Sequence, residues 1–229
     1  MRSVIIGASH GLGLALTEKL LSEDCYVVAG VIERDIPDTL KPLAEKYKDK
    51  LLVKSADVTN ENEIKAFSAA SSEFLGKIDA VCIVAGILLP DDAEKKLFEA
   101  DMSVLRKTFD VNFFGPIVCA KYFYPLMKDG GKIITITSEA VGVCRVWPGT
   151  PGYALSKSAA TKASGILNSS SENVEFYAVH PGRPMTLMNR NGEISAEESA
   201  TGIYKLMAGI TPLSREVWYV DYNGNPMDM

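Results

Sequence analysis

Short, nearly unbroken apolar runs alternate along this chain with longer stretches whose apolar residues recur every three or four positions. The runs fall at residues 3–6, 25–31, 51–55, 78–84 and 132–137, with two more closing at Val179 and at Asp221. Runs of that length without polar alternation suit strands buried on both faces. The intervening stretches read as helices. Residues 11–23 carry Leu12, Leu14, Leu16, Leu20 and Leu21 at helical spacing, and 40–47, 61–74, 100–128, a segment opening near Tyr153, and 197–208 follow. Residues 88–97 read as a loop with a short helical turn over the strand ends. Strand and helix in regular alternation predict an α/β fold with helices on both faces of a mostly parallel, seven-stranded sheet.

With 229 residues, 47% of them apolar, the chain can bury a sizeable core, and a single domain over 1–229 is expected. A net charge of -5 and the lack of any Lys/Arg run argue against nucleic acid or an anionic membrane surface as partner. Cys25, Cys82, Cys119 and Cys144 lie far apart, mostly in apolar segments, and read as reduced core thiols. His10 and His180 are the only imidazoles, too few for a structural zinc site, and no metal is expected. The first apolar run goes straight into a glycine turn without a signal-peptide cleavage pattern, and no run approaches the ~20 residues of a membrane span. A soluble, cytoplasmic protein is expected.

The first strand ends in three glycines, Gly7, Gly11 and Gly13, and a helix begins at once. Such a turn lets another molecule approach the backbone, and the helix start aims unpaired N–H groups at it, an arrangement that a pyrophosphate satisfies. A plain glycine-rich turn against a buried helix is the alternative. The spacing Gly-x-x-x-Gly-x-Gly resembles the opening of the short-chain dehydrogenase/reductase family, usually Thr-Gly-x-x-x-Gly-x-Gly, with Ile6 in place of the Thr.

Three further features bear on the chemistry. Pro116 lies inside the 100–128 helix and cannot donate to the carbonyl of Asn112, four residues back. Ser138 closes the fifth strand, and a Gly/Pro-rich loop then leads to Tyr153 and Lys157, which share one helix face. Tyr124 and Lys128 have the same spacing, but they close the preceding helix and read as surface structure. The Tyr153 helix instead leaves the carboxyl end of a strand, where open parallel sheets bind ligands. A carbonyl reduction needs a proton donor at the oxygen. Tyr153 suits that role with Lys157 lowering its pKa, and Ser138 suits a hydrogen bond to the substrate oxygen.

Asn112, Ser138, Tyr153 and Lys157, in this order after the glycine turn, carry the resemblance across nearly the whole chain. It implies that Asn112 anchors a proton-relay water and that Lys157 also holds the nicotinamide ribose. Thr137 is a fallback for the serine role, because the gap from Ser138 to Tyr153 is slightly long. The coenzyme contacts that the resemblance implies are Gly7, Ser9, His10, Gly11, Leu12 and Gly13 at the turn, and Arg34 after the second strand. Asp57 and Val58 follow the third strand, with Asp57 alternatively capping the helix that begins near Asn60. Ala85 and Gly86 follow the fourth strand, where Val84 replaces the usual Asn. Pro181, Gly182 and Thr186 follow the sixth, and the catalytic Asn112, Tyr153 and Lys157 complete the set. His10 and Arg34 favour NADP and Glu33 favours NAD; NADP is preferred, with NAD the alternative.

The short segment after Thr186 and the Asp221-Tyr222-Asn223-Gly224 ending are similar to the small sniffer-type carbonyl reductases. Val143, Trp147, Met185 and Leu187 are expected to line an apolar substrate pocket, and His180 to be structural. The expectation is an NAD(P)-dependent oxidoreductase acting on a small ketone, aldehyde or secondary alcohol, as a homodimer or homotetramer joined through the 100–128 and 153–168 helices. A nucleotide-binding sensor of the same fold without turnover is the main alternative. A sugar-nucleotide epimerase or dehydratase needs a larger C-terminal domain than this chain has, and methyltransferase chemistry gives Tyr153 and Lys157 no use.

Overall fold

The computed structural model describes residues 1–142 and 149–228. Val143, Cys144 and Trp147 lie outside the described residues. Strand β1 (Arg2–Ile6) leads into helix α1 (Gly11–Ser22), and β2 (Tyr26–Val31), α2 (Lys41–Lys46), β3 (Leu51–Ser55) and α3 (Glu61–Leu75) continue the alternation. Then come β4 (Ile78–Ile83), α4 (Pro90–Glu94), α5 (Met102–Phe109), α6 (Gly115–Phe123) and β5 (Met127–Ile136). The chain closes with α7 (Pro151–Ser170), β6 (Val174–His180), α8 (Ala196–Met207) and β7 (Tyr219–Asp221).

The seven strands form one sheet in the order β3-β2-β1-β4-β5-β6-β7, and every pairing is parallel. Successive side chains on a strand point to opposite faces, so each strand feeds two cores. Val4, Ile6, Val28, Val81 and Ile83 meet Ile64 and Phe67 of α3 and Cys119 and Phe123 of α6. Ile5, Val27, Ala29, Cys82 and Ile134 meet Leu16 and Leu20 of α1 and Ile203 and Leu206 of α8. The order reverses between β1 and β4, which opens a crevice beyond their carboxyl ends.

Two local features differ from the expectation of one helix over 100–128. Pro116 has no N–H, and the helix passes it through a π-turn at Asp110–Phe114, in which the Gly115 N–H bonds the Asp110 carbonyl five residues back. The helical path ends in a 3₁₀ turn at Tyr124–Leu126, where Pro125 stops it, and β5 begins at Met127 rather than at 132. Tyr124 and Lys128 therefore do not share a helix. Tyr124 stacks on Phe176, and Lys128 pairs with Asp79 at 2.6 Å from within β5. Among the described residues no helix is long and apolar enough to cross a membrane.

Candidate functional site

The glycine turn sits at the head of the crevice. Gly7 has φ +94, and a Cβ there would stand 2.6 Å from the Ala85 nitrogen, so no other residue fits. A Cβ on Gly13 would lie 1.9 Å from the Gly7 carbonyl oxygen, which is how closely α1 packs on the turn. His10 precedes α1 without a side-chain cap, and the first turn holds no acid, so its N–H groups and positive dipole end stay available to an anion. Thr186 lies over this turn, its Cγ2 3.3 Å from where a Gly11 Cβ would be.

The two departures from the usual motif have a structural account. Ile6 is fully buried against the α3 and α6 side, and Val84 packs against the α1 and α8 side. The Ile6 carbonyl instead receives the Val84 and Ala85 N–H groups at 2.8 and 2.9 Å, so main chain joins the β1 and β4 exits.

At the carboxyl ends of β2 and β3, the Ser9 hydroxyl donates to Glu33 Oε2 at 2.6 Å, and His10 and Arg34 are exposed. Asn60, not Asp57, caps α3, its side chain accepting the Glu63 N–H. Asp57 Oδ1 accepts from the Thr59 N–H and hydroxyl at 2.9 and 2.8 Å, closing a local turn. The capping alternative for Asp57 is thereby corrected. Val58 is buried, with its side chain against Gly115.

A cleft of about 390 Å³ runs from the turn along the sheet edge. Of the expected residues, Gly7, His10, Gly11, Leu12, Ala85, Gly86, Ser138, Tyr153, Lys157, Pro181, Gly182 and Thr186 line it. Ser9, Gly13, Arg34, Asp57, Val58 and Asn112 are not part of that lining. Leu88, Ala140, Pro184, Leu187 and Met188 give its far end apolar walls. Leu187 is where the loop position predicts it, whereas Met185 lines a neighbouring groove against α1 instead. His180 also lines the cleft, and burial holds its imidazole below the usual range. Its Nδ1 has no partner among the described residues.

Within the cleft, Lys157 is 3% exposed and donates to the Ile136 carbonyl at 2.8 Å, and burial lowers its ammonium to about 8. Its Nζ lies 5.8 Å from the Tyr153 ring centre. Burial pushes the Tyr153 phenol up to about 12, and the Ser138 hydroxyl beside it pulls the other way. Burial, rather than Lys157, thus dominates this phenol in the protein by itself. Ser138 Oγ accepts the Ala140 N–H at 3.2 Å, and Thr137, beside it, is buried with its hydroxyl unpartnered among the described residues. Asn112 is fully buried. Its Oδ1 accepts the Ile87 N–H at 2.8 Å, and its Nδ2 donates to the Ile87 carbonyl at 2.9 Å and to Ser156 Oγ at 3.1 Å.

Two residues escape a reading of the sequence. The Tyr219 hydroxyl, from β7, donates to the Ser138 carbonyl at 2.8 Å. Asp92, in α4, accepts from the Gly152 and Tyr153 N–H groups at 2.7 and 2.8 Å. Neither lies near its partner in the chain, so local spacing carries no signal of them.

The turn that only glycine fits, the uncapped start of α1 and the cleft beyond it suit a nicotinamide dinucleotide laid across the sheet edge. A family model described as short chain dehydrogenase matches residues 2–196. The chain belongs to the short chain dehydrogenase family. It is accordingly an NAD(P)-dependent oxidoreductase. Among similar short chain dehydrogenases is an uncharacterised oxidoreductase of Schizosaccharomyces pombe, 33% identical over 192 residues, 82% of this chain and 74% of that one. Another is the 1-deoxy-11-beta-hydroxypentalenate dehydrogenase of Streptomyces avermitilis, 28% identical over 219 residues, 90% of this chain and 80% of that one. The fold matches the carbonyl reductase Sniffer of D. melanogaster with a TM-score of 0.88 at 21% identity, over 99% of this chain and 98% of that chain. It also matches a carbonyl reductase from Pseudomonas aeruginosa PAO1 in complex with NADP, with a TM-score of 0.83 at 24% identity over 100% of both chains.

Proposed function

We propose that this chain, as a single domain over 1–229, reduces a small, largely apolar ketone or aldehyde, or oxidises the matching secondary alcohol, with Tyr153 as the proton donor or acceptor. The observation that carries this reading is the placement of the Tyr153 phenol beside the Ser138 hydroxyl, with the Lys157 ammonium 5.8 Å from its ring, in the cleft above the Gly7 turn. The coenzyme, when bound, supplies the hydride in reduction and takes it in oxidation. A phenol with a pKa of about 12 is fully protonated at neutral pH and ready to donate as charge develops on the carbonyl oxygen. Ser138 steadies that oxygen. Lys157, mostly cationic at pH 7, holds the ribose hydroxyls and favours the phenolate left after transfer. The Asn112 side chain is taken up by Ile87 and Ser156, which leaves its main-chain carbonyl, opposite Pro116, as the group that holds a relay water.

The turn residues Gly7, Ser9, Gly11, Leu12 and Gly13 would cradle the pyrophosphate, and Ala85, Gly86, Pro181, Gly182 and Thr186 the nicotinamide side. Arg34, Asp57 and Val58 lie at the β2 and β3 exits, where the adenosine belongs. NADP is the preferred coenzyme, since His10 and Arg34 are exposed there to meet a 2′-phosphate and Ser9 engages the opposing Glu33. The NADP carried by the P. aeruginosa carbonyl reductase of the same fold supports that choice. Exposed Met102, Phe114, Leu155 and Ile166 on the α5–α6 and α7 segments support a homodimer or homotetramer joined there. The free, buried thiols of Cys25, Cys82 and Cys119 suit the cytoplasm. The test is fluorescence titration with NADPH and NADH, followed by a panel of aromatic and aliphatic carbonyls on the tighter complex. Tight binding without turnover of any carbonyl or alcohol would favour a sensor of the same fold.

A further inference from the structure

The helix that carries Tyr153 and Lys157 is not capped by its own N-cap residue. Thr150, at the N-cap of α7, is left-handed at φ 54, ψ 51 and its side chain makes no capping bond. Backbone N–H groups in a first helical turn have no partner within the helix. Asp92 supplies one from sixty residues away: Oδ1 accepts from Gly152 at 2.7 Å and Oδ2 from Tyr153 at 2.8 Å. Asp92 is 2% exposed, while its neighbour Asp91 pairs with Lys95 on the surface. The fit is close, since a Cβ on Gly152 would stand 2.8 Å from Asp92 Oδ1 and 2.6 Å from Leu105 Cδ2.

A buried carboxyl group is costly unless hydrogen bonds satisfy it, and the positive end of α7 is where an acid is best tolerated. The bond falls on the backbone amide of Tyr153 itself. Asp92 sits in the short α4 turn a few residues after Leu88, which walls the cleft. A shift of α4 therefore reaches Tyr153 through one residue.

We propose that Asp92 is a positioning residue that fixes the main chain at Tyr153, and with it the reach of the phenol into the cleft, and that it ties the 87–94 segment to the proton donor. This rests on the reading of Tyr153 as proton donor. Asp92→Asn is close in shape and keeps one accepting oxygen, and Asp92→Ala keeps none. Both are compared with the wild type by amide hydrogen exchange over residues 150–156, by coenzyme affinity and by carbonyl reduction.

Exchange at 152 and 153 is expected to quicken at least about tenfold in both variants, with coenzyme affinity held within about twofold and kcat lowered about 10- to 100-fold, the size of loss that small misplacements of a reacting group produce. Asn should fall between the wild type and Ala. Wild-type exchange in the Asn variant would overturn the latch, and faster exchange with an unchanged kcat would overturn the positioning role. If Ala fails to fold, the Asn variant decides alone. A wild-type protein without carbonyl turnover would defeat the proton-donor reading instead, and the exchange measurement would then decide by itself whether Asp92 holds the Tyr153 amide.

Discussion

The Tyr219 hydroxyl holds the Ser138 carbonyl at 2.8 Å, so the last strand of the sheet fixes the residue that faces the Tyr153 phenol. Tyr219 is buried, and its ring packs with Val141 and Ala178 beneath the cleft. Tyr219→Phe keeps that packing and takes the donor from the part-buried Ser138 carbonyl. A loss of about 0.5–1.5 kcal/mol in unfolding free energy is expected, with kcat lowered several-fold and coenzyme affinity unchanged. Denaturant melts alongside steady-state kinetics check both; a variant that loses stability alone would remove Tyr219 from the alignment of Ser138.

Tyr153→Phe removes the hydroxyl proposed as proton donor and leaves the Lys157 ammonium, the proposed ribose clamp, in place. Turnover is expected to fall by at least about a thousandfold while the NADPH dissociation constant stays within about twofold. Steady-state rates near wild type in this variant would refute the assigned role.

Much of this arrangement is legible along the chain. The apolar runs mark the strands because both faces of the sheet are covered, and the Gly7, Gly11, Gly13 spacing marks the turn because no Cβ fits at Gly7 or Gly13. What stays hidden depends on contacts between distant residues. Asp92 reads as one acid among several in a loop, and Tyr219 as one more strand aromatic. Residues 127–131 read as helix end and polar turn because Lys128, Asp129, Gly130 and Gly131 lack strand character, yet Met127 pairs with Ile78 across an irregular register. Spacing places Lys157 one turn from Tyr153, but only burial reveals how far each titration is displaced, and in opposite senses.

Those displacements predict a pH dependence. In the proposed mechanism reduction needs the Lys157 ammonium, so its rate is expected to decline as pH rises through about 8. In the same mechanism oxidation needs the Tyr153 phenolate, and burial holds that phenol up at about 12, so that direction should keep climbing into alkaline pH. Profiles measured in both directions on one substrate pair check this, and a reduction rate that is flat from pH 7 to about 10 would contradict it.

The same group affects stability. The ordinary Lys value is 10.5 and the folded value about 8, so between these pH values the unfolded chain binds more protons and stability rises with pH. Below about pH 8 the buried ammonium carries its full penalty, on the order of 3 kcal/mol from the size of the displacement. Lys157→Met is therefore expected to be inactive yet more stable than wild type at pH 7, by about 1–3 kcal/mol after the lost bond to Ile136 is counted. The difference should shrink toward pH 10.5, the ordinary lysine value. Urea unfolding at several pH values measures it, and a variant less stable than wild type at pH 7 would show that the Ile136 bond outweighs the burial of charge.

The proposed preference for NADP rests on three side chains, Glu33, His10 and Arg34. Glu33 brings a negative charge to the turn and is held there by Ser9 at 2.6 Å, while His10 and Arg34 stand exposed on the same edge. A 2′-phosphate is repelled by the first and attracted by the other two, whereas a 2′-hydroxyl is indifferent to His10 and Arg34 and can donate to Glu33. Arg34→Ala should weaken NADPH binding about five- to tenfold, roughly 1 kcal/mol for a solvent-exposed contact to phosphate, and leave NADH unchanged. Glu33→Gln keeps an acceptor for Ser9 but removes the charge, so NADPH should bind severalfold tighter and NADH slightly weaker. Raising the salt concentration should shrink the Arg34 effect, because the contact is exposed to screening. Parallel titrations of the two variants with both coenzymes decide the matter: if Arg34→Ala weakens NADH and NADPH equally, the arginine supports the turn and reads no phosphate.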